Sequence, residues 1–387
     1  MKPARIISVL TRPRILPRAG LVAGLMLLLT PPADALLNID GSRNQVFVFG
    51  GVTFGYETNM FAEATARGDY SVAANAGLEL KRRAGIIAVN LTAKATYLSY
   101  GTYTGENSLN PSFFLELNKT TGRTTGALTI NAYRETRSDS AVNVRTSTWN
   151  LPIGLNLKYP VNDNLYLTSN TGYMQRTYSD DAGLVDYKDY SQAIDAFYVY
   201  TSKLDLLAGY RLRESTTSLG GRTTDHWFNL GATGGLFSKL SGTVRAGYQI
   251  RRIAGPIGES YNHFNASASI SWPITRKFIL GASLNRDFNT IATGASVDST
   301  GGTLRATYTF SRKLEFSSDT SAGHNKFLGA GQGARVDTFF AWGVGATYRM
   351  NEHFQLGASY TYFRNWSSLD FSDYDNHGFS LDLSSRY

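Results

Sequence analysis

Residues 240–251 read LSGTVRAGYQIR, and this stretch decides the fold of the chain. Its even positions carry apolar or small residues, and its odd positions carry Ser, Thr, Arg, Gly and Gln. Successive side chains of a β-strand point to opposite faces, so each set lies on a face of its own. Charged and small residues on one face, with apolar and aromatic residues on the other, indicate a strand that separates lipid from a polar lumen.

The same alternation recurs from residue 45 to Tyr387 in segments of about ten residues. Short turns of similar sequence join pairs of segments, for example Ser238-Lys239, Arg276-Lys277 and Arg312-Lys313. Eight such turns alternate with nine longer polar connections, near 58–69, 101–110, 137–146, 178–188, 215–224, 252–261, 288–299, 325–335 and 365–374. We therefore predict one transmembrane up-and-down antiparallel β-barrel of about 18 strands (roughly 16–18), with short periplasmic turns and longer extracellular loops.

Composition narrows the alternatives. Charged residues make up 18% of the chain and aromatic residues 13%, with 38 Gly and no Cys. The lack of Cys excludes a disulfide framework and a thiol-ligated metal. Past residue 30 no apolar run approaches the roughly 18 residues of a membrane helix, so a membrane-spanning form has to be a barrel. A secreted water-soluble β-protein remains an alternative, because its strands also alternate.

Residues 1–35 predict a secretory signal peptide. A basic segment ends at Arg18, an apolar segment covers residues 20–29, and Ala33-Asp34-Ala35 forms an A-x-A cleavage site. The apolar segment is about half the length of a membrane helix, which disfavours an uncleaved anchor. We expect a short periplasmic segment at 36–44, a barrel at 45–387, and a location in the outer membrane of a Gram-negative bacterium.

The formal charge of the whole chain is +8. Residues 1–35 contribute five basic residues and one acidic residue, a net +4, so the mature part carries only about +4. The basic residues of the mature part are scattered along the sequence, whereas a nucleic-acid-binding protein gathers them on one face. We therefore expect no nucleic-acid partner.

Aromatic residues recur at two levels of the predicted strands. One set lies beside the short turns, and another lies six to eight residues further along. At about 3.3 Å per residue and about 40° tilt, eight residues climb roughly 20 Å, near the height of the apolar band of a barrel. The first set is Tyr159, Trp272, Phe278, Phe310, Tyr348, Phe354 and Tyr387, and the second is Tyr173, Tyr210, Tyr248 and Tyr360.

The last predicted strand places Phe379, Leu381, Leu383 and Tyr387 at alternate positions, with Ser385 as an interruption. This pattern resembles the C-terminal signal by which the outer-membrane barrel assembly machinery recognises its substrates. We expect that machinery as a partner, together with outer-membrane lipid and lipopolysaccharide.

Three segments carry a family resemblance: GGVTFGYETN at 50–59, GASYTY at 357–362 and YDNHGFSL at 374–381. With them the mature chain resembles the porin-2-like β-barrel porins that are found beside exopolysaccharide-synthesis genes. The resemblance implies an outer-membrane channel for which polysaccharide is one candidate solute. It identifies no site residues.

The alternation of odd and even positions along the strands assigns a set of charged residues to the lumen. Arg211, Arg213, Arg245 and Arg251 come from two strands that are two strand spacings apart. They either form a cationic ladder that attracts anionic sugars or small anions, or they pair with lumen carboxylates and brace the wall. The full set of lumen and selectivity candidates is Lys94, Arg211, Arg213, Arg245, Arg251, Arg305, Asp195 and Asp205.

Catalytic and metal-binding patterns are weak. His226 and His377 face outward near loop ends, where a lipid-processing Ser/His pair would lie, but no Ser accompanies them on that face. We interpret both as interface residues and expect no catalytic residue and no cofactor. Two acidic loops offer oxygen ligands for Ca²⁺ without an EF-hand spacing, so we expect solvated charge and no metal. These loops contain Asp180, Asp181, Asp186 and Asp189, and Asp370, Asp373 and Asp375.

These patterns together predict a passive channel for hydrophilic solutes. A barrel of about 18 strands is wide enough to conduct, whereas side chains fill the interior of an eight-stranded one. No connection is long enough to be an obvious plug. Two alternatives stay open: a non-conducting structural barrel of a secretion or capsule apparatus, and a barrel enzyme that acts on lipid.

Overall fold

The computed structural model describes residues 37–39, 43–83, 85–179, 183–254, 258–328 and 335–387. The predicted signal peptide, with Ala33 and Ala35, lies outside the described residues. Within these ranges the chain forms one antiparallel sheet, with two short 3₁₀ helices at Thr104–Glu106 and Asp370–Ser372.

The strands are β1 Leu37–Ile39, β2 Asn44–Glu57, β3 Asp69–Arg82, β4 Ala88–Tyr100, β5 Ser108–Lys119, β6 Thr125–Asp139, β7 Val144–Asn162, β8 Leu165–Tyr178, β9 Tyr187–Thr201, β10 Leu204–Thr217, β11 Arg222–Gly235, β12 Ser241–Ala254, β13 Glu259–Pro273, β14 Phe278–Thr290, β15 Ser296–Thr309, β16 Leu314–Leu328, β17 Val336–Arg349, β18 Phe354–Ser367 and β19 Tyr374–Arg386.

The sheet closes on itself. Each strand from β2 onward pairs with its neighbours in sequence, and β19 pairs with β2 from Gly378↔Glu57 to Arg386↔Phe49. Strands β2–β19 therefore form a closed antiparallel barrel of 18 strands, which confirms the predicted strand number and topology. Closure gives the backbone groups of both terminal strands a partner, as lipid surroundings require.

The short strand β1 covers the part of β2 that extends past the end of β19. Its residues pair from Leu37↔Val46 to Ile39↔Asn44. Next to them, Val48 and Tyr387 exchange backbone hydrogen bonds of 2.9 and 2.8 Å. The barrel strand β2 thus begins at Asn44, one residue before the predicted boundary, and its edge is protected along its length.

The strands are longer than the segments of about ten residues that the alternation predicts, and the connections are shorter. The predicted connection at 137–146 contracts to 140–143, because β6 and β7 pair out to Asp139↔Val144. Backbone hydrogen bonding between strands does not depend on the polarity of the side chains. Alternation in hydrophobicity marks only the lipid-facing part of each strand, so it underestimates the strand length.

The barrel buries polar residues and exposes apolar ones. Phe264, Leu381 and Tyr248 are 60%, 55% and 45% exposed on the outer face, whereas Asp225, Gln249 and Arg251 are fully buried inside. An exposed apolar surface of this extent marks contact with lipid rather than with water. No helix in the described ranges is long and apolar enough to cross a membrane.

Candidate functional site

The lumen wall of β10, β11 and β12 carries a row of buried charges. Arg213 lies directly opposite Asp225 in the paired strands, and Asp225 lies directly opposite Arg251. The Asp225 carboxylate accepts hydrogen bonds of 2.9 and 2.7 Å from Arg213 and two of 2.7 Å from Arg251. All three side chains are at least nine-tenths buried. This row braces the wall, because both cations share one carboxylate.

The next row down holds a cation of a different kind. Arg211 lies opposite Trp227, and its guanidinium carbon is 4.4 Å from the centre of the indole ring. Such a position over an aromatic face is a favourable cation–π contact. Within the described part of the chain, no carboxylate lies within ion-pair distance of Arg211. Its charge is therefore available to a solute.

Asp195 of β9 lies one row further down and Arg245 of β12 lies two rows down, and they form a two-pronged pair at 2.9 and 3.1 Å. The two strands are separated by β10 and β11, so the side chains reach along the wall. Glycine at position 209 provides the space for the Asp195 side chain, because a Cβ there would lie 1.8 Å from the Asp195 carboxylate. This pair neutralises its own charge, and in the upper row Asp287, 3.5 Å from Arg213, supplies the second carboxylate.

A hairpin end folds into the lumen across these rows. We call residues 286–298, the upper ends of β14 and β15 with their connection, the inward hairpin. Arg251 donates to the Asn289 carbonyl at 3.1 Å and to the Ser296 hydroxyl at 3.2 Å, and Gln249 donates to Asp287 at 2.9 Å. The sequence indicated no long plugging loop, and the inward hairpin narrows the lumen without one. The extended strand ends, rather than a long loop, narrow the lumen.

Aromatic and polar contacts seat the inward hairpin on β13. The ring of Phe288 stacks on His263 with centroids 4.1 Å apart, and His263 Nδ1 lies 3.1 Å from the Asp298 carboxylate. The tip reaches the connection between β8 and β9, where the Val185 amide donates to the Ala292 carbonyl at 2.7 Å. Phe288, Ala292 and Val185 are almost fully buried by this packing.

Beneath the inward hairpin lies a cavity of about 490 Å³. Its wall is mostly small and polar, from the lumen faces of β7 to β14. Charged and aromatic side chains are few, and they come from the rows just described and from the hairpin. They are Asp195, Arg211, Trp227, Arg245, Arg286 and Asp287. The cavity thus presents polar groups, one aromatic face and one unpaired cation.

Connections from the opposite side cover another part of the extracellular mouth. Arg335, next to β17, donates to the carbonyls of Ala141 and Ser140 at 2.7 and 3.0 Å, which joins the β16–β17 and β6–β7 connections. Asn143 donates to the Ala62 carbonyl at 2.6 Å, which adds the β2–β3 connection. The outer entrance is therefore constricted by interlocked loops as well as by the inward hairpin.

The remaining candidates lie apart from this site. Arg305 pairs with Asp319 directly across β15 and β16, and both side chains are largely exposed. Asp205 accepts a hydrogen bond of 2.7 Å from the Tyr166 hydroxyl. Lys94 lies opposite Gly77 and has no ion pair within the described ranges. The structure thus brings five candidates to one region of the wall: Asp195, Arg211, Arg213, Arg245 and Arg251.

Sequence reasoning missed Asp225, Asp287 and His263, although a signal for Asp225 was present. Arg213 and Asp225 are equally distant from the centre of the β10–β11 connection, and Asp225 and Arg251 are equally distant from the centre of the β11–β12 turn. Registers extrapolated from the turns would have placed the three side by side. No comparable signal exists for Asp287, because its strand end leaves the barrel wall.

The outward histidines and acidic loops have structural partners. The hydroxyls of Tyr210 and Tyr360 lie 2.8 and 2.9 Å from Nδ1 of His226 and His377. Asp186 accepts from the Tyr178 amide at 2.9 Å, whereas Asp180 and Asp181 lie outside the described residues. In the described ranges no three acidic or histidine side chains converge as a metal site would require.

A closed barrel with an apolar outer face and a charged, polar lumen defines a class: this is a porin-like outer-membrane barrel. Within that class, residues 224–387 match the model of the family described as "Putative beta-barrel porin 2". The matched residues run from β11 to β19. Over these residues, which include the segments at 357–362 and 374–381, the match confirms the resemblance to this family.

Solved outer-membrane proteins share the fold. The outer membrane protein OpdK from Pseudomonas aeruginosa has a TM-score of 0.53 at 10% identity, with 88% of this chain and 99% of that chain covered. OccK2 (OpdF) from the same organism, in complex with glucuronate, has a TM-score of 0.50 at 11% identity, covering 89% and 97%. No curated protein matches the chain in sequence.

Proposed function

We propose that the chain is an outer-membrane channel that passes hydrophilic solutes and favours anionic ones. In this proposal the export signal at 1–35 is removed, and the assembly machinery inserts the barrel among lipid and lipopolysaccharide. The observation that carries the preference for anions is the unpaired Arg211 beside the cavity of about 490 Å³. The three other arginines of that region, Arg213, Arg245 and Arg251, are neutralised by Asp195, Asp225 and Asp287.

The cavity lining supports a saccharide or another ring-bearing anion as the solute class. Amide and hydroxyl side chains such as Asn229, Asn265 and Ser267 can exchange hydrogen bonds with sugar hydroxyls. Trp227, itself almost fully buried, holds the Arg211 guanidinium at the cavity wall. Export of a polysaccharide is the finer form of this proposal, and it rests on the family resemblance.

A non-conducting structural barrel is the second candidate. The observation that favours it is the narrowed entrance, where the inward hairpin and the loop contacts of Arg335 and Asn143 cover the mouth. In that case the barrel would serve as a docking component of a secretion or capsule apparatus.

Single-channel recording in a planar lipid bilayer under a salt gradient tests the proposal. We expect stable conductance steps and a reversal potential that shows anion preference. The substitution Arg211→Gln removes the unpaired cation, so it should move the reversal potential toward cation preference. The matched control Asp195→Asn with Arg245→Gln removes one charge of each sign from the same cavity and should leave the potential unchanged.

Two results would contradict the proposal separately. An inserted barrel without conductance would favour the structural candidate. Conductance with the same reversal potential in wild type and Arg211→Gln would leave the channel intact and remove Arg211 from its selectivity.

A further inference from the structure

The pairing between β13 and β14 stops partway up the barrel. It runs from Pro273↔Ile279 to Ser267↔Asn285. Above that point β13 still pairs with β12, and β14 still pairs with β15. Within the described residues, the upper edge of β13, residues 259–266, therefore has no strand beside it. A free edge is a template for a further strand.

A line of glycines lies at the level where the pairing ends. Asn285 is directly opposite Gly301 in β15, and Gly301 is directly opposite Gly323 in β16. Glycine in the interior of a strand marks a bend or a close approach. At Gly323 the approach is close, since a Cβ there would lie 2.4 Å from the Phe339 ring. The sheet can bend along this line, and the inward hairpin begins directly above it.

We propose that the inward hairpin is a gate, and that the free edge of β13 is the docking site it occupies when the lumen opens. This inference rests on the proposed channel function, because it assigns the hairpin to the control of that lumen. In the closed form the hairpin covers the cavity and the edge is free. In the open form the hairpin extends the barrel wall and the lumen is wider.

The register that already exists predicts the open pairing. Continued upward from Ser267↔Asn285, it places Asn265 opposite Asp287, Phe264 opposite Phe288 and Asn262 opposite Thr290. Phe264 faces lipid and is 60% exposed, so Phe288 would join it on the apolar face. Asn265 and Asp287 would both face the lumen. The alternation of the pleat is satisfied in the new position, as a strand pairing requires.

In this movement the hairpin exchanges hydrogen bonds with arginine side chains for hydrogen bonds with the backbone of β13. The Phe288 carbonyl gives up Arg213 and gains a backbone partner in β13, whereas the Asn289 carbonyl gives up Arg251 and keeps its orientation toward β15. Arg213 gives up its ion pair with Asp287, at 3.5 Å, but Arg213 and Arg251 both keep Asp225, so each retains a carboxylate partner in the wall. The pair of Arg286 with Asp298, at 2.9 Å, moves intact because both residues belong to the hairpin.

Cysteine pairs can lock each form, because the chain contains no cysteine of its own. Val185→Cys with Ala292→Cys locks the closed form, since a backbone hydrogen bond of 2.7 Å already holds these residues together. Asn262→Cys with Thr290→Cys, joined by a short bifunctional cross-linker, locks the open form. Ser269→Cys with Ser283→Cys is the control, because these residues are directly opposite below the hinge in both forms.

Cross-link formation is read by gel mobility of the folded barrel, and conductance is read in a planar bilayer. We expect the 262–290 cross-link to form and to raise conductance above that of the oxidised 185–292 pair, whose lost conductance returns on reduction. Absence of the 262–290 cross-link in barrels where the control pair reacts would overturn the gate, as would equal non-zero conductance of the two locked forms. If the cross-link forms and both locked forms are silent, the movement stands and the channel function fails.

Discussion

At the scale of single residues, the lumen arginines differ in what surrounds their charge. Arg213 and Arg251 are buried and share Asp225, Arg245 has Asp195, and Arg211 has only the Trp227 ring. A buried cation that has lost its counter-ion is costly, because neither water nor another charge replaces the partner. Asp225 therefore stabilises this group of buried charges, whereas the charge of Arg211 is available to a solute.

We expect Asp225→Asn to destabilise the barrel by about 3–5 kcal/mol, because two buried guanidinium groups lose their only shared carboxylate. Asp319→Asn is the matched control: its partner Arg305 and Asp319 itself are 68% and 41% exposed, so its cost should be about 0–1 kcal/mol. Denaturant titration of refolded protein, followed by heat-modifiable gel mobility, measures both. Similar midpoints for the two variants would show that the buried row does not brace the wall.

At the scale of elements, each strand has one face toward lipid and one toward the lumen, and β19 shows both faces clearly. Phe379, Leu381 and Leu383 are 53%, 55% and 46% exposed on the lipid side. Between them Ser380 faces the lumen, where its hydroxyl lies 2.8 Å from that of Ser359 in β18. Of two adjacent positions in this strand, the one that faces the lumen should therefore accept a charged side chain and the one that faces lipid should not.

We expect Leu381→Arg to cost about 2–4 kcal/mol of folding free energy, because it places a charge in the middle of the apolar band. The neighbouring Ser380→Arg should cost much less, since its side chain enters the polar lumen. Unfolding of both variants in lipid vesicles by urea measures the difference. An equal loss of stability would mean that the two faces of β19 are assigned the wrong way round.

At the scale of the whole molecule, the barrel exists only when its last strand meets its first. Tyr387 lies at that junction: its backbone pairs with Val48, and its ring stacks on His353 at 4.8 Å and meets Phe354 edge-on at 6.0 Å. Contacts between residues so distant in sequence form late and slowly. A recognition signal on the last strand would protect the unclosed sheet during that delay.

We expect Tyr387→Ala to reduce the amount of assembled barrel in cells while purified protein still refolds in detergent. In our proposal the assembly machinery recognises the aromatic residue of the last strand, whereas the remaining pairs of β19 with β2 suffice for closure. Heat-modifiable mobility in the outer-membrane fraction and in refolded samples separates the two effects. Equal losses in both samples would make Tyr387 a structural residue and not a signal.

Only part of the candidate site could be predicted. The alternation of odd and even positions assigned Arg211, Arg213, Arg245 and Arg251 to one wall, but it left open whether they form a ladder or brace the barrel. The answer depends on Asp225, which lies opposite Arg213 and Arg251 in the neighbouring strands, and on Asp195, which reaches Arg245 across two intervening strands. The inward hairpin could not be predicted, because the alternation around 286–298 is that of an ordinary strand end.

The alternation along the sequence is enough to predict the closed 18-strand barrel, its topology and the two faces of its strands. The physical reason is that partition between lipid and lumen acts on each residue locally and leaves a period of two along the chain. The tertiary structure decided which arginine stays unpaired, where the β13–β14 pairing ends and how the strand ends narrow the lumen. These features depend on contacts between distant strands, which no local periodicity records.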